Sequence, residues 1–294
     1  MTDTRICDYE GANYRQEFWE GGTRRYEDLV ERQVLQALLP RTGQRLLEVG
    51  AGFGRLSREY RHYQQVVLLD YSFSQLQYAR QQLGDEGYVY VAADAYKLPF
   101  QAGVFDGATM IRVLHHFENV PAVLAGIRRT LAPRAQFILE FANKRNLKAQ
   151  LRYALGKQSW NPNTLDPVEF VELNYNFHPT MIAQALQAAG FSTQTRIPVS
   201  FLRVGALKRF FAAETLASLD RLFQRTGWLS SPSIFTLNEA QGTSPAQVAL
   251  QGEAIFACPQ TGGVLRREGE ALVSAKGVRY PIRDGIYVFK SLDD

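Results

Sequence analysis

The sequence has few cysteines and no long apolar run. Only two of its 294 residues are cysteine, Cys7 and Cys258, so neither a disulfide framework nor a metal site built from cysteines alone can form within the chain. Sparse cysteine is typical of a reducing compartment, and we expect a cytoplasmic protein. No apolar run approaches the roughly 20 residues that span a bilayer. Residues 1–22 also lack the apolar centre of a signal peptide.

Charge and composition exclude few other classes of protein. The chain is 46% hydrophobic and 21% charged, as in an ordinary globular protein, and its length predicts about two domains. A net charge of +4 and a pI near 9.0 indicate mild basicity, which does not by itself require a nucleic-acid partner.

Hydrophobic periodicity predicts alternating strands and helices up to about residue 200. This alternation favours an α/β fold with a doubly wound, mostly parallel, seven-stranded sheet that has helices on both faces. The predicted helices cover residues 24–39, 53–62, 73–83, 121–131 and 179–189. The predicted strands cover residues 45–49, 65–70, 88–94, 105–113, 135–141, 191–199 and 231–237.

Less regular segments interrupt and follow this pattern. Residues 143–177 are predicted to be an insertion without strands, and residues 205–227 a long amphipathic helix or a helix pair. We expect the main domain to cover residues 1–237, with the insertions 143–177 and 202–228 as a lid. Residues 238–250 have the composition of a linker. Residues 251–294 are expected to form a small β-rich domain.

Three glycines follow the first predicted strand, in the stretch LEVGAGFGRLS. A loop for nucleoside triphosphates would need Lys and Ser or Thr after Gly54, where Arg55 and Leu56 stand. A dinucleotide loop would need a small residue in its sixth position, which is Arg55 or Ser57 here. A tight strand-to-helix turn that binds nothing remains the alternative.

The spacing Glu48-x-Gly50-x-Gly52-x-Gly54 resembles the first motif of class I S-adenosylmethionine-dependent methyltransferases of the type 11 kind. Further segments resemble this family in the same order: Asp70 at the end of the second strand, AADAYKLPFQAGVFD (92–106), IRVLHHF, and IRRTLAPRAQFILE. The resemblance covers about residues 24–200. Arg134 and Ala135 stand where the family has two glycines, so we expect that turn to differ.

The resemblance implies the cofactor S-adenosyl-L-methionine and a role for several residues. Asp70 would accept hydrogen bonds from the ribose hydroxyls, Asp94 would receive the adenine amino group, and Ala95 would offer its backbone N–H to the ring. Glu48 would receive either the cofactor ammonium or an N–H of the loop. Tyr14, Phe18 and Tyr26 either cover the cofactor or pack in the core. The implied cofactor-binding set is Glu48, Gly50, Ala51, Gly52, Gly54, Asp70, Tyr71, Asp94, Ala95, Ile111 and Arg112.

Methyl transfer from a sulfonium depends on alignment and on a dry site. His115 and His116 are the candidate catalytic residues, as a general base for an acceptor that loses a proton. A pair that merely packs or caps the next helix is the alternative. No metal is expected.

The C-terminal stretch 255–289 resembles a small zinc-ribbon-like domain that serves as the activator subunit of several methyltransferases. The resemblance is carried by Cys258-Pro259 and by the run Tyr280–Ile286. The four metal-ligand positions are Cys258, Thr261, Val273 and Lys276, and one thiol cannot hold a tetrahedral zinc. We therefore expect this domain to lack metal and to brace the catalytic domain.

The sequence favours methyl transfer to an O, N or C atom of a small, lipophilic acceptor. An RNA or protein methyltransferase and a non-catalytic cofactor-binding scaffold are the alternatives. The insertion starting KRNLKAQLRYALGK has five cations and an apolar helical face. This pattern predicts either a helix that packs on the core or a lid whose basic face contacts an anionic membrane surface. Binding of nucleic acid is a competing use of the same charges, but the insertion has few aromatic residues for base stacking.

Overall fold

The computed structural model places a mixed β-sheet between two layers of helices. It describes Arg5, Glu10, Gly11, Trp19 and residues 24–243 and 245–290. The sequence expectations for Cys7, Tyr14 and Phe18 therefore lie outside the described residues.

Strands and helices alternate through most of the described chain. The strands are β1 (Gly43–Val49), β2 (Tyr63–Asp70), β3 (Tyr88–Ala92), β4 (Phe105–Met110), β5 (Leu131–Ala142), β6 (Val168–Val171), β7 (Asn174–Asn176), β8 (Phe191–Val199), β9 (Ser233–Ala240), β10 (Leu265–Arg267), β11 (Ala271–Ser274), β12 (Arg279–Arg283) and β13 (Ile286–Val288). The helices are α1 (Arg25–Leu38), α2 (Phe73–Leu83), α3 (Val120–Thr130), α4 (Leu147–Ala154), α5 (Pro179–Ala188), α6 (Gly205–Phe210) and α7 (Ala213–Gln224).

The central sheet has the strand order β3-β2-β1-β4-β5-β9-β8. The first five of these strands are parallel, and β9 runs antiparallel between β5 and β8. The predicted doubly wound, mostly parallel, seven-stranded sheet is thus confirmed. It is the central part of a larger sheet, because β13 pairs in parallel with β3, and β12, β11 and β10 follow it in antiparallel order.

The sheet has a hydrophobic core on each face, and β2 shows how the sequence produces both. Val66 and Leu68 face the core under α1, α2 and α7, whereas Val67 and Leu69 face the core under α3 and α5. A strand that is apolar at every position can bury both of its faces, as the strands of a parallel sheet must. Helix α2 begins at Phe73 as predicted, and Ser72 caps it, because its hydroxyl accepts a hydrogen bond from the Gln75 N–H at 3.3 Å.

The prediction of a helix at residues 53–62 is wrong, because only a single 3-10 turn forms there, at Ser57–Tyr60. Gly54 has a φ of +77°, which a right-handed helix cannot contain. Strand β2 already begins at Tyr63, so the remaining chain is too short for a longer helix.

The expectation that residues 143–177 contain no strand is also wrong. Strands β6 and β7 form an antiparallel hairpin, and Leu173 in its turn has a φ of +51°. A leucine in that conformation is unusual, so the turn had no sequence signal of the Asn-Gly or Asp-Gly kind.

The segment at 205–227 forms the helix pair α6 and α7, separated by the extended residue Phe211. Strand β9 runs three residues into the predicted linker. Asn238 stabilises this extension, since its buried amide donates to the Phe137 carbonyl at 3.1 Å on the neighbouring strand.

The C-terminal residues dock on the central domain through β13 and through aromatic contacts. Phe256 stacks on Phe100 with ring centres 5.8 Å apart, and the Ala257 N–H donates to the Pro99 carbonyl at 3.0 Å. Within the described residues, no helix combines the length and the apolar character needed to cross a bilayer.

Candidate functional site

Strands β1 to β5 are parallel, so their carboxyl ends meet at one edge of the sheet. In open α/β sheets this edge is where ligands bind. Two adjoining clefts open there. The first has about 790 Å³ of open volume, including its mouth, and the second about 390 Å³. Gly50, Gly52, Arg112 and Val113 border both clefts.

The glycine loop turns sharply from β1 toward the second cleft. Gly50 has a φ of +72°, and a Cβ there would lie 2.3 Å from the Val113 side chain. The packing of Val113 therefore requires a glycine at this position. Gly52 has a φ of +53°, and a Cβ there would meet no protein atom within 4 Å. The space beside Gly52 is therefore open to a ligand. Ala51 is buried and borders the second cleft, while Gly54 packs against α2.

Asp70 ends β2 and holds the glycine loop to the neighbouring strand. One carboxylate oxygen accepts the Gly52 N–H at 2.7 Å, and the other accepts the Ser72 N–H at 2.9 Å. Each carboxylate oxygen has more than one acceptor site. Asp70 and the next residue, Tyr71, both line the first cleft.

Asp94 follows β3 at the same edge and lines the first cleft together with Ala95. Its Oδ1 accepts the Tyr96 N–H at 2.8 Å. The other oxygen, Oδ2, receives no hydrogen bond from the described residues. Burial raises the pKa of Asp94. Tyr96 and Phe117 form an edge-to-face pair beside it, with ring centres 5.1 Å apart.

Glu48 lies buried under the glycine loop at the second cleft. The Ser57 hydroxyl donates to its Oε2 at 2.5 Å. Burial raises the pKa of Glu48 to about 7, the negative charge of Asp70 adds to this shift, and the Ser57 hydrogen bond and Arg55 oppose it. A carboxyl group in this state can change its charge near neutral pH.

Arg112 follows β4 and Ile111 in a conformation that few non-glycine residues adopt, with a φ of +63°. Its backbone N–H donates to Glu140 at 2.8 Å, and its guanidinium pairs with the buried Glu31 at 2.5 Å. Ile111 and Arg112 both border the second cleft. Strained backbone of this kind is common where a side chain must be held at a site.

The two candidate histidines face different surroundings. His116 lines the first cleft, and its Nδ1 lies 2.9 Å from the Leu173 carbonyl oxygen. Since a carbonyl only accepts, the proton lies on Nδ1 and Nε2 is the basic nitrogen. Burial lowers the pKa of His116. His115 lies against it, with ring centres 4.0 Å apart, but borders neither cleft.

Tyr26 lies outside both clefts. Its hydroxyl donates to Asp220 at 2.8 Å in the core between α1 and α7. Of the two alternatives for this side chain, core packing is the one observed.

Sequence reasoning missed two N-terminal residues that border the clefts. Arg5 lines the first cleft and donates to the Tyr175 hydroxyl at 2.9 Å. Trp19 borders the second cleft, where the Arg55 guanidinium lies 3.7 Å from the centre of its ring. Both contacts join residues far apart along the chain, so no local pattern announces them. Other bordering residues missed by the sequence reasoning are Val49, Phe53, Arg55, Leu56, Leu69, Gln75, Ala93, Val113 and Phe117.

Glu10 binds the start of α2, close to Asp70. Its carboxylate accepts the Phe73 N–H at 2.7 Å and the Ser74 N–H at 3.0 Å. These N–H groups begin α2, where a negative charge is favourable. Glu10 is thus fastened to the helix that follows Asp70.

Comparison with known proteins supports the interpretation of this sheet edge as a binding site. Residues 47–139, about a third of the chain, match the family model described as a methyltransferase domain. The chain is 27% identical over 179 residues to the ubiquinone/menaquinone biosynthesis C-methyltransferase UbiE of Shewanella frigidimarina. That alignment covers 55% of this chain and 71% of the relative.

Two solved structures share the fold. An S-adenosylmethionine-dependent methyltransferase from Mesorhizobium loti aligns with a TM-score of 0.52 at 20% identity, over 73% of this chain and 99% of that one. A Haloferax volcanii structure, a complex that contains the Trm112 methyltransferase activator, aligns with a TM-score of 0.56 at 16% identity. This second alignment covers 82% of this chain and 100% of the other.

Proposed function

Since this chain contains a class I S-adenosylmethionine-dependent methyltransferase domain, we propose that it transfers a methyl group from that cofactor to an O, N or C atom of a small, lipophilic acceptor. One observation carries the cofactor part of this proposal. The carboxylates Asp70 and Asp94, at the ends of neighbouring strands, line one cleft together with Gly50 and Gly52. That arrangement suits an adenosine, which carries ribose hydroxyls at one end and the adenine amino group at the other.

The roles of the individual residues follow from their positions. Asp70 binds the ribose hydroxyls, and the Oδ2 of Asp94 receives the adenine amino group. Glu48 faces the cofactor ammonium, and the open space beside Gly52 takes the methionine end. His116 removes a proton through Nε2 when the acceptor must lose one.

The lipophilic character of the acceptor is inferred from the two insertions. Strands β5 and β8 run in the same direction, so α4 and α6 leave the sheet at the carboxyl edge. Nearly all the large apolar side chains that the described residues expose lie between Leu147 and Trp228, with Val264 as the exception. Phe210 is 78% exposed and Leu155 is 67% exposed. Apolar surface of this extent marks an interaction site, and we propose that it roofs the acceptor.

The same surface supports contact with an anionic membrane. Arg145, Lys148, Arg152 and Lys157 accompany the exposed leucines of α4. Cations beside an apolar helical face are typical of helices that lie in a membrane interface. The relative from Shewanella frigidimarina acts in ubiquinone and menaquinone biosynthesis, which is consistent with a lipophilic acceptor.

Methyl labelling tests the proposal. The purified chain is incubated with a small-molecule extract and with S-adenosylmethionine carrying either an ordinary or a deuterated methyl group. We expect apolar products whose masses differ between the two reactions, and none with the Asp70→Asn variant. Label found only in RNA or protein would favour the alternative substrates. Cofactor binding without any labelled product would favour a scaffold.

A further inference from the structure

A third cleft opens between the start of α1 and the helix pair α6 and α7, and it has about 770 Å³ of open volume, including its mouth. None of the described residues lines both this cleft and either of the first two. Arg203, which follows β8, contacts Glu27 in the first turn of α1 at 3.3 Å. Because β8 ends at the carboxyl edge of the sheet, this contact places the third cleft at that edge, beside the insertion that we propose as a roof for the acceptor.

Cationic side chains line the third cleft. They are Arg25, Lys208 and Arg209, and no acidic residue of the described chain lines the cleft with them. Two acids outside the lining pair with the first two cations. Glu214 lies 2.5 Å from Arg25, and Glu27 accepts two hydrogen bonds from Lys208, at 2.5 and 2.7 Å. Glu27 is only 1% exposed, so its carboxylate is shielded from a solute in the cleft.

Arg209 is the cation of this cleft that these acids leave uncompensated. Its side chain is exposed, and it forms no hydrogen bond or ion pair with the described residues. A cleft lined by charge of one sign raises the local concentration of solutes of the opposite charge. An anion that enters the third cleft therefore meets a guanidinium whose donors are not held by a neighbouring carboxylate.

The third cleft also has an apolar side next to these cations. Phe211, the extended residue between α6 and α7, lines it and is 51% exposed. Ala213 and Leu216 line it as well, and the neighbouring Phe210 is largely exposed. A free inorganic anion would leave this apolar surface in water, whereas a molecule that joins an anion to an acyl chain would cover it. The lining therefore favours an anionic amphiphile.

We propose that the third cleft binds one anionic phospholipid, with the headgroup phosphate at Arg209 and Lys208 and an acyl chain against Phe211. This inference rests on the proposed contact with an anionic membrane and adds a specific headgroup site to it. The planar fork of a guanidinium matches a phosphate with two parallel hydrogen bonds, and an ammonium adds a point charge. Helix α4 leaves the same edge of the sheet, so both contacts face one bilayer, and a lipophilic acceptor enters the active-site edge from it.

Calorimetry on the full chain with short-chain lipids, used below the concentration at which they form micelles, tests this inference. The probes are dihexanoyl phosphatidylglycerol, zwitterionic dihexanoyl phosphatidylcholine, and glycerol phosphate, which has no acyl chain. We expect the phosphatidylglycerol to bind about tenfold more tightly than either of the others, because only it combines a net negative charge with apolar chains. Arg209→Gln should weaken its binding about fivefold, the value of one cation at an anionic headgroup, and Arg209→Lys should retain part of the affinity. Phe211→Gln should weaken the lipid and leave glycerol phosphate unchanged.

Arg221→Gln is the matched control, because Arg221 is an exposed cation of α7 that does not line the third cleft, and it should have no effect. Equal affinity for the two lipids, glycerol phosphate bound as tightly as phosphatidylglycerol, or unchanged lipid affinity in Arg209→Gln would overturn the inference. Affinity for S-adenosylhomocysteine is measured first in each protein. Its absence in the unmodified chain would overturn the proposed function instead, and its retention in Arg209→Gln shows that the variant is folded.

Discussion

The ammonium group of Lys290 lies 4.0 Å from the centre of the Tyr71 ring. Tyr71 directly follows Asp70 and lines the first cleft. Lys290 reaches it because β13 pairs with β3 and because the Phe289 N–H donates to the Ala92 carbonyl at 2.8 Å. Lys290 therefore contacts a residue that lines the cleft where we expect the cofactor.

Replacing Lys290 should weaken cofactor binding. A cation over an aromatic ring contributes about 0.5–1 kcal/mol at exposed sites, so Lys290→Met should reduce affinity for S-adenosylhomocysteine roughly two- to fivefold by calorimetry. Lys276→Met, in an exposed turn of the same C-terminal region, is the control and should have no effect. Equal affinities in the two variants would show that the C-terminal segment does not support the cleft.

Asp70 and Asp106 provide a matched pair for testing the cofactor site. Both carboxylates accept two backbone N–H groups, and those of Asp106 come from Gln44 and Arg45 at 2.7 Å each. Asp106 is the second residue of β4, at the edge opposite the clefts. Asp70→Asn should lower affinity for S-adenosylhomocysteine by about 1.5–3 kcal/mol, the value of hydrogen bonds to a charged group. Asp106→Asn should lower the melting temperature and leave affinity unchanged. The reverse pattern would remove Asp70 from the cofactor site.

The sequence predicted the sheet and its functional edge well because both depend on local patterns. Alternating apolar runs define the strands, and Gly50, Gly52, Asp70 and Asp94 lie at or just after the carboxyl ends of β1, β2 and β3. Parallel strands must bring such residues to one edge, whatever the details of packing.

The remaining features depend on contacts between distant segments. The pairing of β13 with β3, and the positions of Arg5 and Trp19, have no local signal. Arg134 shows a second limit of prediction from sequence. It has a φ of +65°, so an arginine adopts the conformation that glycine favours, and the backbone there cannot be deduced from residue type.

Glu48 should make cofactor affinity depend on pH. Its pKa rises from 4.5 to about 7 in the folded chain. The folded state therefore binds more protons than the unfolded state between these values, and this group lowers stability as pH rises through that window. A cofactor ammonium nearby favours the ionised carboxylate, so binding should release a proton.

Calorimetry from pH 5.5 to 8 checks this expectation. Affinity for S-adenosylhomocysteine should rise with pH up to about 7, by at most tenfold per unit for one proton, and then level off. Glu48→Gln is the control and should remove the rise attributable to this group. A wild-type affinity that is constant with pH would place the ammonium elsewhere.

The C-terminal region should bind no zinc. Of its four ligand positions, Thr261, Val273 and Lys276 cannot replace thiolates, and the Cys258 sulfur lies 3.4 Å from the Tyr280 hydroxyl. Metal analysis of the purified chain should find far less than one zinc per molecule, and a chelator should leave the melting temperature unchanged. One tightly held zinc per chain would show that ligands from elsewhere complete the site.

Helix α4 should attach the protein to anionic vesicles. Leu151 and Leu155 are exposed on one face of the helix end, and burying an apolar side chain yields about 1.5–3 kcal/mol. The double substitution Leu151→Gln and Leu155→Gln should therefore lower binding to phosphatidylglycerol vesicles at least tenfold in a sedimentation assay. Val264→Gln, a similarly exposed residue of the C-terminal region that is 69% exposed, should leave it unchanged. Affinity for S-adenosylhomocysteine should stay the same in both variants, because neither position borders a cleft. Absence of vesicle binding in low salt would end the membrane proposal, and RNA binding under those conditions would assign the cations of the insertion to nucleic acid.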